Sequence, residues 1–148
     1  TRYWRDWSSD VCSSDLLSLG FLYEETMAIA HLVYGRVLER HPRLDICISH
    51  GGGAAAFMTG RLEHQGRARP WARANPVSFA AGLERLWFDQ HVHDEDSLAL
   101  LTRRVGRDRL VIGTNLAGWD APSDRSDIPF ASDHEAYDAN ARRLLRLG

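Results

Sequence analysis

The chain has 148 residues, with 18 basic and 20 acidic side chains and a formal net charge of -2. At 44% hydrophobic and 26% charged residues, it has the composition of a globular domain rather than a disordered or fibrous one. The charge balance lacks the basic excess of a nucleic-acid binder, and no run approaches the ~18 consecutive apolar residues of a membrane-spanning helix, so neither nucleic acid nor membrane is expected as a partner. The first residues, Thr1-Arg2-Tyr3-Trp4-Arg5-Asp6, lack the apolar core of a secretory signal. Two cysteines, Cys12 and Cys47, make no disulfide framework, and a cytoplasmic location is expected.

The segment Asp6-Trp7-Ser8-Ser9-Asp10-Val11-Cys12-Ser13-Ser14-Asp15-Leu16 has neither helical nor strand periodicity. It resembles the translation of a widely used sequencing adapter. Residues 1–16 are therefore expected to be non-native, with 17–148 forming part of one domain and the reading frame starting inside a larger gene. Beyond that point helix and strand alternate. Residues 24–40 predict a helix, since Ile29, Leu32, Val33 and Val37 recur at three- and four-residue spacing before Pro42. Residues 44–49 predict a buried strand, which His50 and three glycines end. A helix is expected over 54–64, a loop rich in arginine over 67–76, and a second strand over 86–89. Asp94 is a candidate N-cap for a helix through Val105, with Gly106 in the stop position. A third strand is expected over 109–114, a polar loop over 121–132 and a last helix over 137–147. A strand, helix and strand between Asp89 and Leu110 match a parallel crossover, so the fold class is α/β around a parallel sheet.

Proteins of this architecture place reactive groups at the carboxyl ends of strands. That rule selects His50, Asp89 and Asn115, with His50 the sharpest because glycines follow it. His91-Val92-His93 has spacing that can put two imidazoles on one face, but Asp94 starts a helix directly after it. A solvated or capping role is expected there. His134-Glu135-Ala136-Tyr137-Asp138 misses the zinc-protease pattern at its last position. Gly51-Gly52-Gly53 could cradle an anion on backbone N–H groups, although no lysine follows as in a phosphate loop. Cys47 reads as a small core residue, and Trp71 with Arg67, Arg69 and Arg73 as a solvated surface loop.

The stretch His41-Pro42-Arg43-Leu44-Asp45-Ile46-Cys47-Ile48-Ser49-His50-Gly51-Gly52-Gly53-Ala54, followed by Gly60-Arg61-Leu62, resembles the amidohydrolase superfamily. Its likeness is to the branch containing aminocarboxymuconate-semialdehyde decarboxylase. Leu86-Trp87-Phe88-Asp89, His93-Asp94 and the run from Val105 to Thr114 continue the likeness in the same order, and Asn140-Ala141-Arg142-Arg143-Leu144-Leu145 is similar to that branch's final helix. The resemblance implies a TIM-like (β/α)8 barrel, which typically takes ~250 residues. Residues 17–148 would be its carboxyl-terminal part, about strands six to eight, with most metal ligands upstream.

By the same resemblance His50 matches a general acid/base, a task that suits imidazole near neutrality. Arg61 matches an arginine that holds a substrate carboxylate across a dimer interface, where a planar bidentate donor is apt. Asn115 falls where the family has a metal-binding aspartate, and its amide offers only a neutral oxygen. The implied parent is a homodimeric enzyme that decarboxylates an unsaturated or aromatic carboxylic acid with a divalent metal, zinc first and manganese second. The alternatives are a metal-dependent hydrolase of a lactone, ester or amide, or a metal-independent or inactive relative. The isolated chain itself is expected to be inactive.

Overall fold

The three apolar runs form strands β1 (Cys47–Ile48), β2 (Trp87–Asp89) and β3 (Leu110–Val111). The structure, a computed structural model, describes residues 16–73, 75–115 and 134–147. The strands pair in parallel in the order β1-β2-β3, with Ile48 beside Phe88 and Phe88 beside Leu110. Each strand is shorter than its apolar run, because ladder bonds persist only where a neighbour lies alongside. Leu44 is already exposed, and Ser49 leads into the turn at His50–Gly52.

Side chains alternate across a strand, so the registered residues Ile48, Phe88 and Leu110 share a face. All three enter one apolar core with Ile29, Val33, Leu83, Leu101 and Val105, and Phe88 is fully buried. Helices supply the other half of that core. Helix α1 (Phe21–Tyr34) contributes Ile29 and Val33, four residues apart on one stripe. The single helix expected over 24–40 is broken. The backbone N–H of Gly35 closes α1 on the His31 carbonyl at 2.9 Å, Arg36 takes a left-handed φ of 54°, and a short helix α2 (Val37–Arg40) follows. The break turns Leu38 into the core.

Helix α3 (Ala55–Ala68) runs one turn past its expected end, and α4 (Pro70–Arg73) occupies part of the expected loop. The sequence reading missed α5 (Phe79–Leu83), a short helix capped by Ser78 Oγ accepting from the Ala81 N–H at 3.2 Å. Helix α6 (Glu95–Val105) is bounded as its residues predict. Asp94 Oδ1 accepts from the Ser97 N–H at 2.9 Å, and Gly106 adopts a positive φ of 84°. The Ser97 side chain, and then this backbone bond, hold the Asp94 carboxyl below the usual carboxylate range. Acidic Glu95 and Asp96 open α6 while Arg103 and Arg104 close it, the order that a helix dipole favours.

The last helix, α7 (His134–Leu145), is pinned to the foot of β3. The buried Asn140 donates its amide N–H groups to the carbonyls of Arg107 at 2.9 Å and Leu110 at 2.7 Å. Arg109 and Arg143 lie over the Trp87 ring at 4.9 and 5.6 Å from its centroid, an arrangement that favours cations on an aromatic face. Just past α7, Arg146 reaches Asp45 at 2.8 Å, and this bond holds the Asp45 carboxyl below the usual range. Among the described residues no helix is long and apolar enough to cross a membrane.

Candidate active site

All three residues selected at strand ends stand at the same end of the sheet, but they have different surroundings. His50 follows β1 in a left-handed turn, with φ of 46°. Gly52, at φ of 77°, packs so tightly that a Cβ there would lie 2.7 Å from the Phe88 ring and 2.9 Å from Ile29. Only glycine fits that approach, and the turn is thereby seated on the core. The N–H groups that might have cradled an anion are all used within the chain. Gly51 N–H donates to Asp89 Oδ1 at 3.1 Å, Gly52 to the Ser49 carbonyl at 2.8 Å, Gly53 to the His50 carbonyl at 3.2 Å and Ala54 to Thr26 Oγ1 at 2.9 Å. The anion-cradle reading is therefore corrected.

Asp89 works as a strut. Its Oδ1 accepts from the backbone N–H of Gly51 and of His91, each at 3.1 Å. Its Oδ2 lies where a Cβ on Gly113 would be, only 2.6 Å away. One carboxylate thus ties the segment leaving β1 to the segment leaving β2 and packs closely against Gly113 after β3.

Beside this strut lies a cavity of about 690 Å³ lined by His50, His91, His93 and Asn115, with Phe21 and Phe57 among its apolar walls. The sequence reading gave His91 and His93 a solvated or capping role. The structure corrects it for His91, which is only 5% exposed, whereas His93 is exposed as expected; both line the cavity, and Asp94 caps α6. The two Nε2 atoms lie 3.1 Å apart, and the His50 ring is 5.7 Å from that of His91 between centroids. A second residue that sequence reasoning missed is Glu25, on α1. Its Oε1 is 2.7 Å from His50 Nδ1 and also accepts from Ser49 Oγ. No spacing rule links positions 25 residues apart on a helix and a turn, so nothing in the sequence pointed to this pair.

The other candidates fall outside the cavity lining. Arg61 is exposed on α3, one turn beyond the cavity residue Phe57, which is itself 79% exposed. Arg67, Arg69 and Arg73 are exposed, as a solvated segment requires, while the Trp71 side chain lies outside the described residues. His134 begins α7. Among the described residues no three His, Cys, Asp or Glu side chains converge as a metal shell. The described donors alone do not fit a tightly held divalent ion, and Asn115 adds only a neutral oxygen to them.

Cys47 is exposed rather than in the core, because Ile48 and not Cys47 takes the face that the helices cover. Burial on its sheet side, and then the Asp89 carboxylate, push its thiol up to about 11. Alkylation of Cys47 by iodoacetamide, followed by peptide mapping, should therefore rise with pH to a midpoint near 11. A midpoint near the ordinary thiol value of ~8.5 would contradict this environment.

Comparison with known proteins agrees with this geometry. A 2-amino-3-carboxymuconate-6-semialdehyde decarboxylase of Dictyostelium discoideum is 34% identical over 116 residues, which are 77% of this chain and 30% of the relative. The chain thus spans less than a third of that relative's length. The apo crystal structure of Metarhizium anisopliae IDCase superposes with a TM-score of 0.71 at 21% identity, covering 95% of this chain and 43% of that one. The 5-carboxyvanillate decarboxylase of Novosphingobium aromaticivorans, solved with bound manganese and 3-methoxy-4-hydroxy-5-nitrobenzoic acid, gives a TM-score of 0.71 at 18% identity, covering 86% and 40%. These likenesses show a shared α/β fold. The amidohydrolase family model matches residues 5–147, nearly the whole sequence, and the chain belongs to that family, on its aminocarboxymuconate-semialdehyde decarboxylase-like branch.

Proposed function

We propose that residues 17–148 are the carboxyl-terminal part, about strands six to eight, of a barrel enzyme that removes CO2 from an unsaturated or aromatic carboxylic acid. The observation that carries this reading is His50. Its imidazole lines an apolar-walled cavity at the carboxyl end of a parallel strand, where such folds place reactive groups. Phe21, Phe57 and Leu101 suit a flat unsaturated substrate. His50 would take up a proton and pass it to the carbon that loses the carboxylate, while the electron pair of the breaking C–C bond returns to that carbon. Arg61, exposed beyond Phe57, would hold a carboxylate in the cavity of a second copy.

A divalent metal, manganese or zinc, belongs to the same proposal for the whole protein. The named relative's bound manganese supports it. Asn115 is the described position assigned to that ion by resemblance, with the remaining ligands supplied upstream. The donors among the described residues do not by themselves complete a metal shell. Asn115 in place of a carboxylate also favours a second reading, a metal-independent or inactive relative.

The test is to recover the upstream coding sequence and assay the whole protein on unsaturated and aromatic acids, with and without added manganese or zinc. Release of CO2 is the expected outcome. Hydrolysis of lactones, esters or amides without CO2 would replace the decarboxylase by a hydrolase. Inactivity that Asn115→Asp reverses would identify the inactive relative.

A further inference from the structure

We infer that Glu25 is a positioning residue for His50, holding the proton on Nδ1 so that Nε2 is left bare toward the cavity. This deepens the proposed role of His50 and rests on that reading for its functional meaning, though not for its chemistry. An ionised carboxylate has no proton to give, so the 2.7 Å contact between Glu25 Oε1 and His50 Nδ1 requires the ring to be the donor. Which ring nitrogen carries the proton is set by the bond that the other atom makes. The ring then has one free nitrogen, and His50 lines the cavity.

Three further observations support a held geometry rather than a chance surface pair. Glu25 and His50 have side chains only 16% and 28% exposed. The same Oε1 accepts from Ser49 Oγ, so the residue before His50 is fixed to the same carboxylate. Thr26, next to Glu25, is buried and accepts from the Ala54 N–H at 2.9 Å, which ties α1 to the far side of the glycine turn. His50 is thus clamped from α1 both before and after its turn, while Asp89 serves only backbone N–H groups there. Among the described residues the buried Glu25 Oε2 has no hydrogen-bond partner. When the ring takes up a proton, the carboxylate faces the charge that forms, as the aspartate does in a hydrolase triad.

The experiment is long-range proton–nitrogen correlation NMR on the 148-residue chain with labelled histidine, at alkaline pH where the rings are neutral, the His50 signals being assigned by their loss in His50→Gln. The expected pattern is a protonated Nδ1 and an unprotonated Nε2. Glu25→Ala should move both nitrogens to intermediate values as the tautomers mix, and Ser49→Ala should leave them unchanged. A protonated Nε2 in the unaltered chain would overturn the inference without reference to any variant. So would an unchanged pattern in Glu25→Ala with a native amide spectrum. If that variant does not fold, Glu25→Gln keeps an acceptor of equal size and should retain the pattern while removing the charge. In the whole enzyme, Glu25→Ala should lower kcat about 10–100-fold by analogy with other orienting partners and leave KM nearly unchanged, with Glu25→Gln restoring part of the loss. A fixed tautomer together with full activity in His50→Gln would sink the catalytic reading of His50 and leave the pairing intact.

Discussion

Under the proposed decarboxylase function, His50→Ala in the whole protein is expected to reduce the rate of CO2 release about 10²–10⁴-fold, the range that a positioned acid/base contributes. Substrate binding should change far less, since the apolar wall of Phe21, Phe57 and Leu101 is untouched. The measurement is single-turnover release of labelled CO2 beside an equilibrium binding assay on the same protein. The loss should fall on the chemical step, because an imidazole that moves a proton acts mainly in the transition state. A parallel weakening of binding with unchanged single-turnover rate would recast His50 as a wall of the pocket. Small exogenous imidazole should recover part of the rate, as the space left by the ring opens on the cavity.

The second large effect is structural. Asp89→Ala should destabilise the chain by about 3–6 kcal/mol, since hydrogen bonds to a charged acceptor contribute about 1.5–3 kcal/mol each and two are lost. That is a large share of the ~5–15 kcal/mol that holds a domain folded. Urea unfolding followed by circular dichroism reads it directly. Asp89→Asn keeps one neutral acceptor and should fall between the two. The Cys47 thiol gives an independent readout, because the Asp89 carboxylate is the second cause of its raised value. In Asp89→Ala the midpoint of Cys47 alkylation should move below about 11, toward but not onto that of a free thiol, because the larger cause, burial, remains. An unchanged midpoint in a folded variant would show that the charge is too far away to act.

Elements with complete local signals were legible. Helix α6 starts at Asp94 and stops at Gly106 as read, because an N-cap acceptor and a left-handed stop are properties of single residues. The parallel order of β2 and β3 was legible from the length of the crossover between them. Elements without such signals were misjudged. The break after α1 depends on the left-handed Arg36, which no residue type announces, and on the room it gives Leu38 in the core. Cys47 and Ile48 are equally apolar in sequence, and only the placement of the helices decides which one is covered.

The same division runs through the site. Strand ends preceding helices are a local pattern, so His50, Asp89 and Asn115 could be named from residue order alone, as could family membership from the run around the three glycines. Their separate tasks could not. Asp89 became a strut and Glu25 a partner of His50 because strands and helices distant in sequence bring their side chains within hydrogen-bond range. His91 left its expected place in solvent for the same reason: the turn after β2 folds back under Asp89 and turns the ring inward. Local chemistry determined which residues could act, since it is written in side-chain type and spacing. Tertiary packing decided which of them meet, because direction and burial belong to the assembled chain and to no short stretch of it.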